Sequence, residues 1–124
     1  MIGIGVDLVE VERFRNTMTR TPGIIDRCFT ADEIAYARKR RDPVERFAVR
    51  FAAKEAVMKA MGVGLGEVRM VDIEVRRAES GAPSVDLHGA AADHAASLGI
   101  ARWLLTMTHT ESLAEAIAVA LGET

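Results

Sequence analysis

The chain has 124 residues, 49% hydrophobic and 27% charged, with a formal net charge of −2. That length suits one domain over 1–124, with one core. Its composition is globular rather than disordered, and its balanced charge argues against a surface built to track nucleic acid. The single cysteine, Cys28, leaves no internal disulfide or cysteine metal cluster and points to a reducing compartment. No stretch approaches the roughly 18 apolar residues of a membrane span. The N-terminus reaches Asp7 without a basic segment, which is unlike a signal peptide, so the expected location is the cytoplasm.

Along the chain, Ile2–Leu8 is apolar and β-branched and reads as a buried strand, whose Gly3 and Gly5 imply close backbone approach or a bulge. Val11, Phe14 and Met18 form a helical stripe that stops at Thr21-Pro22-Gly23. Thr30-Ala-Asp-Glu33 is a capping-box pattern flanked by Phe29 and Ile34, and it predicts a helix from Ala31 to about Arg40. Asp42-Pro43-Val44-Glu45 opens a long helix, with Asp as cap and Pro at the first position, running to Gly62. Phe47, Phe51 and Met58 supply its apolar face, and Gly62, Gly64 and Gly66 make a flexible connection.

Val71, Ile73 and Val75 alternate with charges as a strand, turn at 79–83, and pair with a second strand containing Val85 and Leu87. Ala90–Leu98 reads as a helix and Arg102–Thr108 as a strand. The tail Leu113–Leu121 is rich in alanine, a helix former, yet large and small residues alternate with period 2, which favours a strand. The expected class is α+β: a leading strand, helices, then an antiparallel sheet interrupted by one helix.

The charge is asymmetric. Residues 1–60 carry 12 basic and 9 acidic side chains (+3), and 61–124 carry 4 and 9 (−5). The basic half suits an anionic ligand or acidic partner, or equally a scatter of charges over solvated helix faces. Glu55 and Lys59 are i, i+4 and project from one helix face, as an ordinary solvated pair also would. Arg50 and Lys54 form a second such pair on another side. Asp7 ends an apolar strand, where a carboxylate is costly unless exposed, paired or metal-bound. With a helical glutamate it could offer oxygens to Mg²⁺. His109 beside Thr106, Thr108 and Thr110 could touch phosphate or sugar, or simply make a turn. His88 and His94 lack convergent partners in the sequence and read as surface residues, and Cys28 reads as a small core residue. P-loop, hydrolase-triad and zinc motifs are absent.

Taken together, GIGVDLVEVERF, FTADE, RFAAKEAVMKAMGVG, VDIEV with a following Gly-Ala-Pro, and TMTHT before AEAIAVA resemble the holo-acyl-carrier-protein synthase family, the small single-domain 4′-phosphopantetheinyl transferases. The resemblance runs over essentially the whole chain. It implies transfer of the phosphopantetheine arm of coenzyme A to a serine of an apo acyl carrier protein, with 3′,5′-ADP leaving. It implies Mg²⁺ on Asp7 and Glu55, and catalysis by Asp7, Glu55 and Lys59, with Lys59 near the diphosphate. Arg50, Gly62, Gly64, Thr108 and His109 are the implied coenzyme A contacts, with Arg40 or Arg41 near the 3′-phosphate. Arg13, Met18, Arg20 and Arg27 are the implied carrier contacts. It further implies homotrimers with sites between subunits. The competing expectation is a non-catalytic trimeric module that only binds coenzyme A or a carrier. Membrane and nucleic-acid partners are not expected.

Overall fold

The computed structural model describes residues 1–123. In chain order the elements are β1 (Gly3–Glu10), α1 (Val11–Arg20), α2 (Ile24–Cys28), α3 (Ala31–Ala37), α4 (Val44–Met61), a 3₁₀ turn (Met70–Asp72), β2 (Ile73–Arg77), β3 (Pro83–Leu87), α5 (Gly89–Ser97), β4 (Arg102–His109) and β5 (Leu113–Leu121). The class is α+β as expected, but the strands divide differently. β1 joins the C-terminal strands in an antiparallel sheet of order β1-β5-β4, while β2 and β3 form a separate hairpin. β1 pairs with β5 along its whole length, from Gly3 opposite Ala120 to Glu10 opposite Leu113. No helix among the described residues is long and apolar enough to cross a membrane.

The tail is a strand because its two faces meet different surroundings. Ala114, Ala116, Ala118 and Ala120 are at most 1% exposed beneath α4. The larger Ile117 and Val119 point to the other face, as strand alternation requires. A helix would split the alanines between two opposite sides and lose this flat, small-residue floor.

β1 is not the buried strand its composition suggests. Ile4, Val6 and Leu8 are 60%, 51% and 57% exposed. The glycines explain this. Gly3 and Gly5 turn toward α4, so the alternate, large side chains must face away from the helix. A Cβ on Gly5 would lie 1.9 Å from the Ala56 carbonyl oxygen, and one on Gly3 would lie 2.0 Å from that of Ala60. The close backbone approach expected of these glycines is present. Gly5→Ala is therefore expected to force β1 off the helix and cost about 1–3 kcal/mol, the range typical of overpacking. Chemical denaturation checks this, and an unchanged midpoint would refute the contact.

α4 is buried nearly all round rather than on one apolar face, with 13 of its 18 residues buried, Arg50 and Lys54 among them. It lies over the sheet on one side and against α1 and α3 on the other. Its left-handed cap, Gly62 at φ 70°, is the conformation that favours glycine. The capping box forms: the Glu33 amide donates to Thr30 Oγ1 (3.2 Å) and the Thr30 amide to Glu33 Oε1 (2.9 Å).

Several boundaries move. α3 stops at Ala37 rather than Arg40. Asp42 accepts from the Val44 amide (3.3 Å) while Pro43 sits just outside α4. The chain after Gly23 makes the unforeseen α2, too short to show a period. β2 begins at Ile73, since residues 70–72 make the 3₁₀ turn.

Candidate active site

Asp7 has the same strand parity as Gly3 and Gly5, so its carboxylate is delivered against α4. There the Lys59 ammonium donates to Asp7 Oδ1 and to the Val6 carbonyl, each at 3.0 Å. The Asp7 side chain is 17% exposed and that of Lys59 54%. One turn earlier on α4, Glu55 lines the same cleft, about 380 Å³ in volume, together with Asp7, Glu10, Arg13, Phe14 and Phe51. Burial, and then the Asp7 charge, push the Glu55 carboxyl above its ordinary value, against the opposing pull of Lys59. A carboxyl whose proton affinity is raised by burial and by a neighbouring carboxylate, with an ammonium on that neighbour, forms a donor set suited to a hard divalent cation.

A second pocket, about 270 Å³, is basic. Arg46, Arg50 and Arg77 surround the Tyr36 ring at 4.1, 4.3 and 5.4 Å from its centroid. Arg46 Nη1 also donates to the Tyr36 carbonyl (2.7 Å), and Arg77 Nη1 donates to the Tyr36 hydroxyl. Burial alone would raise the Tyr36 phenol, but these cations bring it below its usual value. Arg50 is 3% exposed, and its buried Nε lacks a hydrogen-bond partner among the described residues. A buried guanidinium nitrogen left unsatisfied is costly unless an anion completes it. His109 lines this pocket, with Nδ1 3.3 Å from Glu45 Oε2. Arg50 and Glu55 lie about 140° apart around α4, so one chain presents its basic and acidic groups on different sides of the helix.

The profile of the 4′-phosphopantetheinyl transferase superfamily matches residues 3–118. The chain belongs to this superfamily. It is 48% identical over 120 residues to the holo-[acyl-carrier-protein] synthase of Frankia casuarinae, covering 97% of each chain. It superimposes on the crystal structure of the Neisseria meningitidis holo-[acyl-carrier-protein] synthase with a TM-score of 0.88 at 32% identity, covering 98% of this chain and 99% of that one. It likewise matches a holo-(acyl-carrier-protein) synthase from Bacillus anthracis in complex with CoA (3′,5′-ADP), with a TM-score of 0.82, 30% identity, and 98% and 97% coverage. The resemblance in the motifs is a true membership, and the protein is a transferase of this type.

In this transferase the fold gathers Asp7, Glu55 and Arg13 at one cleft, with Lys59 bonded to Asp7, and Arg50 and His109 at the other pocket with Arg40 but without Arg41. Thr108 lies on the opposite face of β4 from His109, opposite Glu115. Gly62 and Gly64 follow the Lys59 turn, and a Cβ on either would meet nothing within 4 Å. The need for glycine at 62 is therefore its φ rather than a neighbour. Arg20 borders a groove with Glu10, Arg13 and Asn16, and exposed Arg27 lies beside Phe51 and Leu65. Met18 is half-buried, packed on the core through Phe14 and its neighbours.

Sequence reasoning missed Tyr36, Arg46 and Arg77. A signal was available, because Arg46, Arg50 and Lys54 recur every four residues along α4. It read Lys54 only as the i, i+4 partner of Arg50 on another side of α4. Lys54 is fully buried, and its ammonium donates to Glu33 Oε1 (2.8 Å), to the Met70 carbonyl (3.1 Å) and to the Ile73 carbonyl. His88 does have convergent partners: Nε2 lies 2.9 Å from Glu74 Oε1 and 3.9 Å from Asp86 Oδ2. The Arg76 guanidinium already sits on these same two oxygens, at 3.2 and 3.0 Å, so the cluster is a closed ion network. Cys28 is half-buried against the core, as expected.

Proposed function

We propose that this chain, acting as one transferase domain over 1–124, moves the 4′-phosphopantetheine arm of coenzyme A to a serine of an apo acyl carrier protein and releases 3′,5′-ADP. The observation that carries this reading is the convergence of Asp7 from β1 and Glu55 from α4 in one cleft of a superfamily member, with Lys59 bonded to Asp7. Mg²⁺ held by Asp7 and Glu55 would neutralise charge on the diphosphate oxygens. The serine oxygen attacks the β-phosphorus, and the bond from that phosphorus to the oxygen of 3′,5′-ADP breaks. Glu55, with its raised proton affinity, takes the serine proton directly or through an intervening water. Lys59, free to leave Asp7, balances the charge on the departing oxygen.

The basic pocket around Tyr36 receives the nucleotide end, with Arg50, Arg46, Arg77 and His109 toward its phosphates. Because the two sites face different sides of α4, a single coenzyme A meets the acidic cleft of one subunit and the basic pocket of another. The exposed apolar face of the sheet, Ile4, Val6, Leu8 and Leu104, supports closure of such an assembly as a homotrimer. The chain works in the cytoplasm on carriers of fatty acid or polyketide synthesis. A purely binding module is disfavoured because it has no use for a lysine ion-paired to one of two adjacent carboxylates.

The deciding experiment mixes the protein with coenzyme A and purified apo carriers, with and without Mg²⁺. The carrier is expected to gain the mass of one phosphopantetheine only when Mg²⁺ is present. Coenzyme A binding without any mass gain on any carrier would favour the module.

Carrier docking falls on the α1 side of the acidic cleft. Arg13 is the basic residue of α1 that lines this cleft, and its only ionic neighbour among the described residues is Glu10 at 4.0 Å. Arg13→Glu is expected to raise the KM for an acidic carrier about tenfold, the scale of one charge-assisted contact. The KM for coenzyme A should stay within error. An equal rise in both would place Arg13 in the coenzyme A site instead.

A further inference from the structure

We propose that Lys54 is a positioning residue of the transfer site, fixing the rotation of α4 about its axis so that the Glu55 carboxylate stands beside Asp7. This rests on the reading of Asp7 and Glu55 given above. The Lys54 ammonium is closed on three sides by three elements: Glu33 of α3, the Met70 carbonyl of the 3₁₀ turn, and the Ile73 carbonyl at the start of β2. Glu33 is saturated in turn, accepting from the Thr30 amide (2.9 Å) and from the Val75 amide (3.0 Å). Both side chains are about fully buried, at 0% and 1% exposed. Neither is free to meet a ligand.

Stability alone is a poor account of the pair, since a buried ion pair is commonly matched or exceeded by apolar residues of similar volume. What the pair supplies is direction. Lys54 and Glu55 are consecutive, so their side chains leave α4 about 100° apart. The backbone of the same helix is gripped on the sheet side by Gly3 and Gly5, against the Ala60 and Ala56 carbonyls. Lys54 is the corresponding grip on the hairpin side. With both in place α4 has no freedom to turn. With Lys54 gone, a turn of about 10° at the roughly 6 Å radius of the side-chain tips moves Glu55 by about 1 Å. Misplacement on that scale can cost about a hundredfold in rate.

The test uses Glu33→Gln/Lys54→Met, which removes both buried charges together and leaves neither unpaired. Mn²⁺ is the probe, titrated by electron paramagnetic resonance against the full-length protein without coenzyme A. The variant is expected to melt cooperatively and to bind Mn²⁺ about tenfold more weakly, the usual effect of removing a residue that orients a ligand. Ala95→Gly, in α5 and remote from the cleft, controls for lost stability and is expected to bind Mn²⁺ like the parent. If the double variant fails to fold, Glu33→Gln/Lys54→Gln, which keeps amide hydrogen bonds, takes its place with the same expectation. A folded variant with Mn²⁺ affinity within about twofold of the parent overturns the positioning role. Asp7→Asn separates the two ideas. If it leaves Mn²⁺ binding intact, the two-carboxylate reading fails and this inference with it. If it weakens binding while the Lys54 variants do not, only this inference fails.

Discussion

Glu55→Gln is expected to lower turnover by about 10²–10⁴-fold, the range for losing a positioned proton acceptor, and not to lower thermal stability at neutral pH. The stability sign follows from the raised proton affinity of Glu55. Burial first, and the Asp7 charge second, make the folded protein hold this proton more tightly than the unfolded chain does. The group's contribution to stability is therefore greatest at low pH, and it declines as pH rises past the unfolded value toward the raised folded one. Glutamine removes that decline. Calorimetry across acid to neutral pH should show a shallower fall of Tm for the variant without Mg²⁺, and a Tm at least equal to the parent's at neutral pH. Added Mg²⁺ should raise the parent's Tm and leave the variant's nearly unchanged. Near-normal turnover at saturating Mg²⁺ would remove Glu55 from the chemistry, while a collapse in Tm would make it a structural residue.

Two inactive chains are expected to make an active mixture. Glu55→Gln disables the acidic cleft, and Arg50→Met disables the basic pocket while keeping its apolar stem. If each site joins the cleft of one subunit to the pocket of the next, an equal mixture refolded together contains intact sites at about a quarter of its interfaces, as random filling of a closed ring requires. Activity near that fraction is the expected result. Continued inactivity of the refolded mixture would mean that one chain holds the whole site. Val6→Arg should act at the step before. Val6 is 51% exposed on the outer sheet face, and a charge there should abolish both assembly, read by light scattering, and activity. An active monomer would dismiss the shared site.

The elements were largely legible because local signals decided them. The capping box at Thr30 and Glu33, the stop at Thr21-Pro22-Gly23, the cap at Gly62 and the period-2 tail each rest on interactions within a few residues. Even the alanine-rich tail was readable, since alternation outweighs propensity where a strand lies flat on a helix. The failures share another cause. β1 looked buried because hydropathy counts side chains, whereas Gly3 and Gly5 bury backbone and send Ile4, Val6 and Leu8 outward. The hairpin looked continuous with the other strands because alternation carries no sheet address. Nothing local marked Lys54 as buried, because charge is a surface signal on average. Only the arrival of Glu33, Met70 and Ile73 from elsewhere in the chain makes burying an ammonium tolerable.

The acidic cleft divides in the same way. Glu55 and Lys59 share a helix face at any fold, and the strand parity of Asp7 with Gly3 and Gly5 was written in the chain. Local signals in the chain thus set most strand and helix identities, the shared helix face of Glu55 and Lys59, and through its motifs the family. Tertiary structure alone decided that β1 runs beside β5 against α4, which brings Asp7 to Lys59 at 3.0 Å across 52 residues of chain. It alone placed three arginines around Tyr36 from α4 and β2. The physical reason is that periodicity and capping report on neighbours within a turn or two, whereas a site made of opposed charges depends on which distant backbones can come close, and that is settled by the packing of glycine and alanine under α4.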